Sequence, residues 1–249
     1  MDKNTSHVVL FVGDTHFHLV PRSGELARQE RFLSFLEMAR HADELVLLGD
    51  IFDFWFDYPH FRLRGYEEIL HGLDAVHEAG TRLHFVGGNH DIWGAKYFRD
   101  RYGTSANGAP VDLDLDGTRL RVIHGDGLLA RDMIYNGFRW LVRQRAGVAL
   151  AKALHPELLY HFCCWLSGTS RKASRDESAI IVERAQRHLA AANDDWDMLL
   201  IGHVHHAFHI QKDGRAMAAL GSWFGEESYG IWSEGRFALK DFATDPRPF

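Results

Sequence analysis

Two rhythms of apolar and polar positions alternate along the first part of the chain. Short apolar runs at His7–Val12, Glu44–Leu48 and Arg82–Val86 have the length and continuity of buried strands. Between the first two, Leu26, Phe32, Leu33, Leu36 and Ala39 recur at helical spacing, which predicts a helix from Leu26 to Arg40. A second helix is predicted from Tyr66 to Ala79, closed by Gly80, because glycine accepts the left-handed turn that ends a helix. Strand, helix, strand, helix, strand implies a parallel sheet with crossover helices. Further on, Asp112–Asp116 and Arg119–Ile123 flank Gly117 and predict a hairpin. A helix at about Asp176–Ala192 and a buried strand at Asp197–Ile201 follow. From 206 to 242 short alternating runs are broken by Asp213-Gly214 and Glu234-Gly235, as expected of antiparallel strands joined by tight turns.

Residues 129–167 break this pattern. They read as helical and are rich in aromatic and basic side chains, among them Arg131, Phe138, Arg139, Arg143, Phe162 and Trp165. We read about 129–170 as a helical insertion that caps whatever the remaining elements build. The expected organisation is one α/β domain over residues 1–249 carrying that insertion.

Composition narrows the function. Apolar residues make up 46% of the 249 positions, enough for a sizeable core, and the net charge of −6 supplies no basic field for nucleic acid. A protein of this charge that handles phosphates needs local positive charge, which bound cations would provide. The cysteines, Cys163 and Cys164, are adjacent; they form no disulfide framework and fit a reducing compartment. The N-terminus lacks a basic region followed by an apolar stretch, so no secretory signal is expected. No run approaches the roughly 18 apolar residues of a spanning helix, so membrane contact would be peripheral.

The chemistry is concentrated in five polar segments, each following an apolar run: Asp14-Thr15-His16, Gly49-Asp50-Ile51-Phe52-Asp53, Gly88-Asn89-His90-Asp91, His124-Gly125-Asp126 and Gly202-His203-Val204-His205. In an open parallel sheet, sites form beyond the carboxyl ends of the strands, where the first three segments fall. Asp14 and His16, and likewise His203 and His205, are two residues apart; in extended backbone each pair would project to one side. Asp50 is placed to bridge two cations, and Asn89 offers a neutral oxygen. Mixed nitrogen and oxygen donors suit Mn²⁺, Fe²⁺, Zn²⁺ or Co²⁺ better than Ca²⁺ or Mg²⁺. Two such ions, roughly 3.5–4 Å apart, acidify a water and clamp a phosphoryl group. His90 exceeds the ligand set and is read as a donor to a phosphoryl or leaving oxygen. Asp53 and Asp91 are read as carboxylates that orient imidazoles, and Asp126 as a turn residue, an outer carboxylate or a substrate contact.

These segments resemble the calcineurin-like metallophosphoesterase family, which shows D-x-H, G-D-x-x-D, G-N-H-[D/E], a lone H and G-H-x-H in this order. The resemblance runs from Val8 to about Trp223. It implies two packed mixed β-sheets flanked by helices. It also implies that Asp14, His16, Asp50 and His205 hold one metal and that Asp50, Asn89, His124 and His203 hold the other. Catalysis would then fall to His90, Asp50 and Asn89.

A narrower likeness lies in Gly49–Trp55, in His124-Gly-Asp-Gly, in Leu220–Trp223 and in Asp132, Tyr135, Phe138-Arg139 and Ser170–Lys172. These resemble the branch of UDP-2,3-diacylglucosamine pyrophosphohydrolases of lipid A biosynthesis. That likeness implies a lipid-linked sugar nucleotide as substrate, cleaved to UMP and diacylglucosamine 1-phosphate, usually with Mn²⁺. It implies work in the cytoplasm at the inner face of the bacterial inner membrane, with no protein partner. Asn89, Asp132, Ser170 and His203 would touch substrate, and Ser174 falls at a polar contact. Two positions depart from the branch: His90 stands where the best-known enzymes have Arg, and Glu177 where they have Lys. The alternatives are a phosphoesterase for a soluble nucleotide or phosphoprotein, and a non-catalytic metal-bound scaffold.

Overall fold

The computed structural model describes residues 7–58, 63–91, 93–104, 110–126, 128, 144, 147, 149, 151, 153–161, 178–192 and 195–245. Among the described residues ten strands form two sheets. The first sheet contains β1 (Val9–Val12), β2 (Glu44–Leu47), β3 (Arg82–Phe85), β9 (Ser228–Ser233) and β10 (Arg236–Asp241), in the order β10-β9-β1-β2-β3. β1, β2 and β3 are parallel, and β9 and β10 add an antiparallel edge. The second sheet contains β4 (Val111–Leu115), β5 (Thr118–Ile123), β6 (Met198–Ile201), β7 (Ala207–Lys212) and β8 (Arg215–Leu220), in the order β4-β5-β6-β8-β7. Its centre, β5, β6 and β8, is parallel, with an antiparallel strand on each side. Both sheets are mixed, as the family resemblance implied.

Strand alternation shows why the sheets stack. Along β1, Val9 and Phe11 join Val46, Leu48, Val122, Leu200 and Leu220 in the seam between the sheets. The intervening Leu10 and Val12 turn the other way, onto α1 (Glu25–Ala39) and α2 (Glu67–Glu78). On the far side, Leu199, Ile201, Met217 and Ala219 pack under α4 (Ser178–Ala191) through Ala185 and Leu189. The result is a helix–sheet–sheet–helix stack. Each fully buried Val, Leu or Phe contributes about 1.5–3 kcal/mol, so a strand buried on both faces is held strongly in register.

The register levels the strand ends. Val12 pairs with Leu47 and Leu47 with Phe85 in one sheet, while Ile123 pairs with Ile201 in the other. The residues that follow β1, β2, β3, β5 and β6 therefore emerge at one rim of the stack. The hairpin turns Asp116-Gly117, Asp213-Gly214 and Glu234-Gly235 each have positive φ at both positions, the backbone that two-residue hairpins need. The tail forms two hairpins, as its breaks predicted, but they go to different sheets: β7–β8 to the second and β9–β10 to the first.

One helix escaped the sequence pattern, α3 (Ala95–Tyr102). It buries only Ala95, Phe98 and Tyr102, too few positions to reveal a period. Its anchor is a tertiary contact, the Phe98 ring stacked on Phe85 with centroids 4.0 Å apart. Of the expected insertion, Ala151 and Leu159 pack on Phe54 and Phe56, just beyond Asp53, and Tyr160 lies 5.7 Å from Phe54 ring to ring. Arg131, Phe138, Arg139, Arg143, Phe162, Trp165 and the Cys163-Cys164 pair lie outside the described residues. Among the described residues no helix is long and apolar enough to cross a membrane.

Candidate metal centre

The rim gathers the polar segments by bonding their backbones together. Asp14 N–H donates to the Gly49 carbonyl at 3.0 Å and His16 N–H to the Asp50 carbonyl at 2.9 Å. His203 N–H donates to the Asp14 carboxylate at 2.9 Å, which ties the second sheet's loop to the first sheet. Asp14, His16, Asp50 and His203 all have φ between 46° and 64°. This corrects the expectation that Asp14 and His16 lie in extended backbone: each adopts the left-handed region, which non-glycine residues seldom occupy. The strand has already ended at Val12, and the bonds to Gly49 and Asp50 carry the chain alongside the segment that follows β2, up to the parallel Phe17–Phe52 bridge. The two side chains still converge, with His16 Nε2 3.9 Å from Asp14 Oδ1.

Two sets of donor atoms result. Asp14, His16 and His205 bring their ligand atoms within 4.8 Å of one another, and so do Asp50, His124 and His203. Asp50 Oδ2 stands between them, 3.7 Å from His16 Nε2 and 3.3 Å from His124 Nε2. Asn89 Oδ1 is 3.2 Å from His124 Nε2 and so belongs with the second set. His124 Nδ1–H donates to the Leu48 carbonyl at 2.8 Å, which turns Nε2 toward Asp50 as the nitrogen that an ion would take. His90 forms a third group with His16 and Asp50. Its Nδ1–H donates to the Asp53 carbonyl at 2.9 Å, and its Nε2 faces Asp50 Oδ2 at 3.9 Å.

The outer carboxylates divide their work. Asp53 Oδ1 faces His16 Nδ1 at 3.6 Å and His90 Nδ1 at 3.7 Å. Asp91, fully buried, accepts backbone N–H groups instead: Gly88 at 2.8 Å, Asp50 at 3.1 Å and Ile51 at 2.8 Å. The expectation that Asp91 orients an imidazole is therefore corrected; it clamps the loop that carries Asp50. The motif glycines make this approach possible, because a methyl group on Gly88 would come within 2.7 Å of the Asp50 carboxylate carbon. Asp126 is buried, and its charge helps to raise the pKa of His124. Asp132, Ser170 and Ser174 lie outside the described residues.

Electrostatics fit the donor set to cations. Burial raises the Asp50 carboxyl, but the charges of His124 and His90 outweigh it and hold Asp50 well below the usual carboxylate range. Asp14 is likewise lowered: burial opposes, and His205 and His124 prevail. Burial pushes His16 and His203 down to about 4, leaving them neutral and able to ligate. His124 goes the other way: burial lowers it, Asp50 raises it by more, and its pKa reaches about 10. A proton on His124 thus answers carboxylate charge that a bound cation would otherwise neutralise. Two ionised buried carboxylates with the neutral imidazoles of His16 and His203 are donors a divalent transition ion takes, and His124 joins them when an ion displaces its proton.

Sequence reasoning missed two neighbours of this site. Phe224 lies edge-on to His16 and His205, with ring centroids 5.7 and 5.0 Å away, and is 43% exposed. His18 and Glu25 form a buried pair behind Asp53. Only the placement of His18 two residues after His16 hinted at the second.

Comparison with known proteins agrees with this geometry. The family pattern described as calcineurin-like phosphoesterase matches residues 7–207. A UDP-2,3-diacylglucosamine hydrolase of Sodalis glossinidius is 31% identical, with 94% of this chain and 98% of that protein covered. Proteins of the same name from Porphyromonas gingivalis and Chromohalobacter salexigens are 24% and 29% identical. Those two alignments cover 93% and 86% of this chain and 96% and 88% of the relatives. Because the match spans most of the chain and includes every strand end that supplies a donor, the chain belongs to the calcineurin-like phosphoesterase family and is a metal-dependent hydrolase.

Proposed function

We propose that the chain hydrolyses the pyrophosphate of UDP-2,3-diacylglucosamine, giving UMP and 2,3-diacylglucosamine 1-phosphate. The position of Asp50 Oδ2 between two donor sets carries the phosphoryl chemistry. The shared name of relatives aligned over nearly their whole lengths supports the substrate. Asp14, His16, Asp50 and His205 would hold one divalent ion, and Asp50, Asn89, His124 and His203 a second. Mn²⁺ is the first choice, with Fe²⁺, Zn²⁺ or Co²⁺ as alternatives. When bound, the ions supply an acidified water and neutralise phosphoryl charge.

The chain's own side chains orient and move protons. His90, anchored through Nδ1 to the Asp53 carbonyl, holds Nε2 toward the site and protonates the departing phosphate oxygen. Asn89 and His203 contact the phosphoryl group from the second donor set. Asp91 keeps Asp50 in place by accepting its N–H. Phe224 presents its open face beside His16 and His205, where a planar base or sugar ring can lie against it. Asp132, Ser170 and Ser174 would add substrate contacts, and the 129–170 insertion would cover the acyl chains. On this reading the protein would work in the cytoplasm, peripheral on the inner face of the inner membrane, where such a lipid substrate would be met.

The test is release of UMP from UDP-2,3-diacylglucosamine by the purified protein with Mn²⁺, compared with UDP-N-acetylglucosamine and a small artificial phosphodiester. UMP from the lipid substrate alone supports the proposal. Cleavage of the soluble nucleotide without the lipid one refutes it and favours the soluble-substrate alternative. Making Phe138 and Leu141 polar should abolish the lipid reaction and spare the artificial diester. Parallel loss of both, in folded metal-loaded protein, would refute a covering role.

A further inference from the structure

Behind the first donor set lies a chain of buried polar side chains that the reaction above does not use. Asp53 Oδ2 is 3.4 Å from His18 Nε2, and His18 Nδ1 is 2.9 Å from Glu25 Oε2. The side chains of Asp53, His18 and Glu25 are 3%, 7% and 4% exposed. Glu25 also accepts the N–H groups of His18 at 2.6 Å and Arg22 at 3.1 Å. Arg28 closes the far end: one amino group is 3.7 Å from Glu25 Oε1, and the other donates to the Thr15 carbonyl at 2.8 Å.

We propose that His18 and Glu25 are positioning residues that brace the Asp53 carboxylate behind His16 and thereby set the metal affinity of the first donor set. The inference rests on the metal-centre reading above. Capping the 18–25 loop requires only the two backbone bonds to Glu25. It does not require the His18 ring to turn inward with a nitrogen toward each of two carboxylates. A carboxylate rotates easily about its terminal torsion. Asp53 Oδ1 faces the Nδ1 atoms of His16 and His90, and the His18 ring packs against its other oxygen. His16 Nδ1 and His18 Nε2 are buried and make no hydrogen bond among the described residues, so the Asp53 carboxylate between them is the group whose rotation the His18 ring limits. A carboxylate at Nδ1 holds a ligating imidazole in the tautomer and orientation that present Nε2 to the ion. Loss of the brace should therefore appear in metal binding before it appears in folding.

The experiment titrates Co²⁺ into metal-stripped protein, with thermal unfolding of the metal-free form measured alongside. His18→Phe keeps the ring volume and leaves the backbone bonds to Glu25 intact. It should weaken Co²⁺ binding about 10–100-fold, the usual effect of losing an outer partner of a metal-ligating histidine. The visible Co²⁺ spectrum should change in protein that still folds, with the metal-free melting temperature lowered no more than in Glu25→Gln, since each variant weakens the buried pair. Glu25→Gln, whose amide can still meet His18 Nδ1, should lower that melting temperature and keep near-normal affinity. Unchanged Co²⁺ affinity and spectrum in folded His18→Phe overturns the proposal. Should His18→Phe fail to fold, Glu25→Ala carries the same test, and unchanged affinity there overturns it as well. If the unaltered protein binds no Co²⁺, the metal-centre reading itself fails, an outcome distinct from normal binding that the variants leave unmoved.

Discussion

Gly88→Ala tests the geometry of the site with one methyl group. An added Cβ would lie 2.5 Å from the Asp50 nitrogen and 2.7 Å from its carboxylate carbon. Those contacts must open to at least 3.0 Å, and Asp50 has little freedom to withdraw. Its N–H is held by Asp91 at 3.1 Å, and Oδ1 takes the His90 N–H at 2.9 Å. The remaining route displaces the Asp50 carboxylate from between His16 and His124. Overpacking of this kind costs about 1–3 kcal/mol, so the variant should fold with a lowered melting temperature. The functional loss should be larger, because a displacement of about 1 Å at a reacting centre costs on the order of 10²-fold. The assay combines metal stoichiometry after dialysis against Mn²⁺, turnover on an artificial phosphodiester and thermal unfolding. Near-normal turnover with full metal content and an unchanged melting temperature would refute the close approach of Gly88 to Asp50.

Asp50→Ala should abolish turnover and empty at least one metal site, as read by elemental analysis; full activity in metal-stripped protein would count against a dinuclear centre. His90→Ala should lower turnover about 10²–10⁴-fold at unchanged metal content, whereas loss of metal would make His90 a ligand. His90→Arg should retain more activity than His90→Ala. Phe224→Ala should raise KM for the nucleotide substrate about tenfold, within the 1–3 kcal/mol of a base–aromatic contact, and metal content should not move. Glu44, near the opposite end of the strands, gives a pH test. The bond from His84 holds its carboxyl below 4.5 despite burial, so its stabilisation is present above that value and fades as pH falls through the lower folded one. Glu44→Gln should therefore lower the melting temperature near neutral pH and flatten its decline in acid.

Much of the first sheet is legible in sequence because β1 and β2 at its centre are buried on both faces. Val9–Val12 and Glu44–Leu47 are uninterrupted in burial, so the apolar run marks the strand directly. Helices α1 and α2 show their period because each presents several large residues to the same sheet face. What remains hidden depends on contacts between distant segments. Nothing local to Ala95–Tyr102 announces a helix that depends on Phe98 meeting Phe85. Nor does any local signal send β9 back across the molecule to pair with β1, since a short strand buried along its length fits the centre of either sheet.

The candidate site was legible in identity but not in mechanism of assembly. Residue type and order sufficed to nominate Asp14, His16, Asp50, Asn89, His124, His203 and His205, because few other uses call for imidazoles and carboxylates after so many strands. Extended backbone was the natural assumption for two donors at alternate positions, and it fails because the donors lie past the strand ends. There the chain must turn sharply, and cross-strand bonds such as Asp14 N–H to Gly49 and His203 N–H to Asp14 hold the left-handed residues in place. Asp91 serves amides because the turn after β2 and the glycine loop after β3 point the N–H groups of Asp50, Ile51 and Gly88 inward, and a buried carboxylate is the acceptor able to gather all three. Strain at Asp14, His16, Asp50 and His203 is thus coupled to polar clamps one shell further out. A variant that relaxes a clamp should disturb metal binding even where every ligand remains.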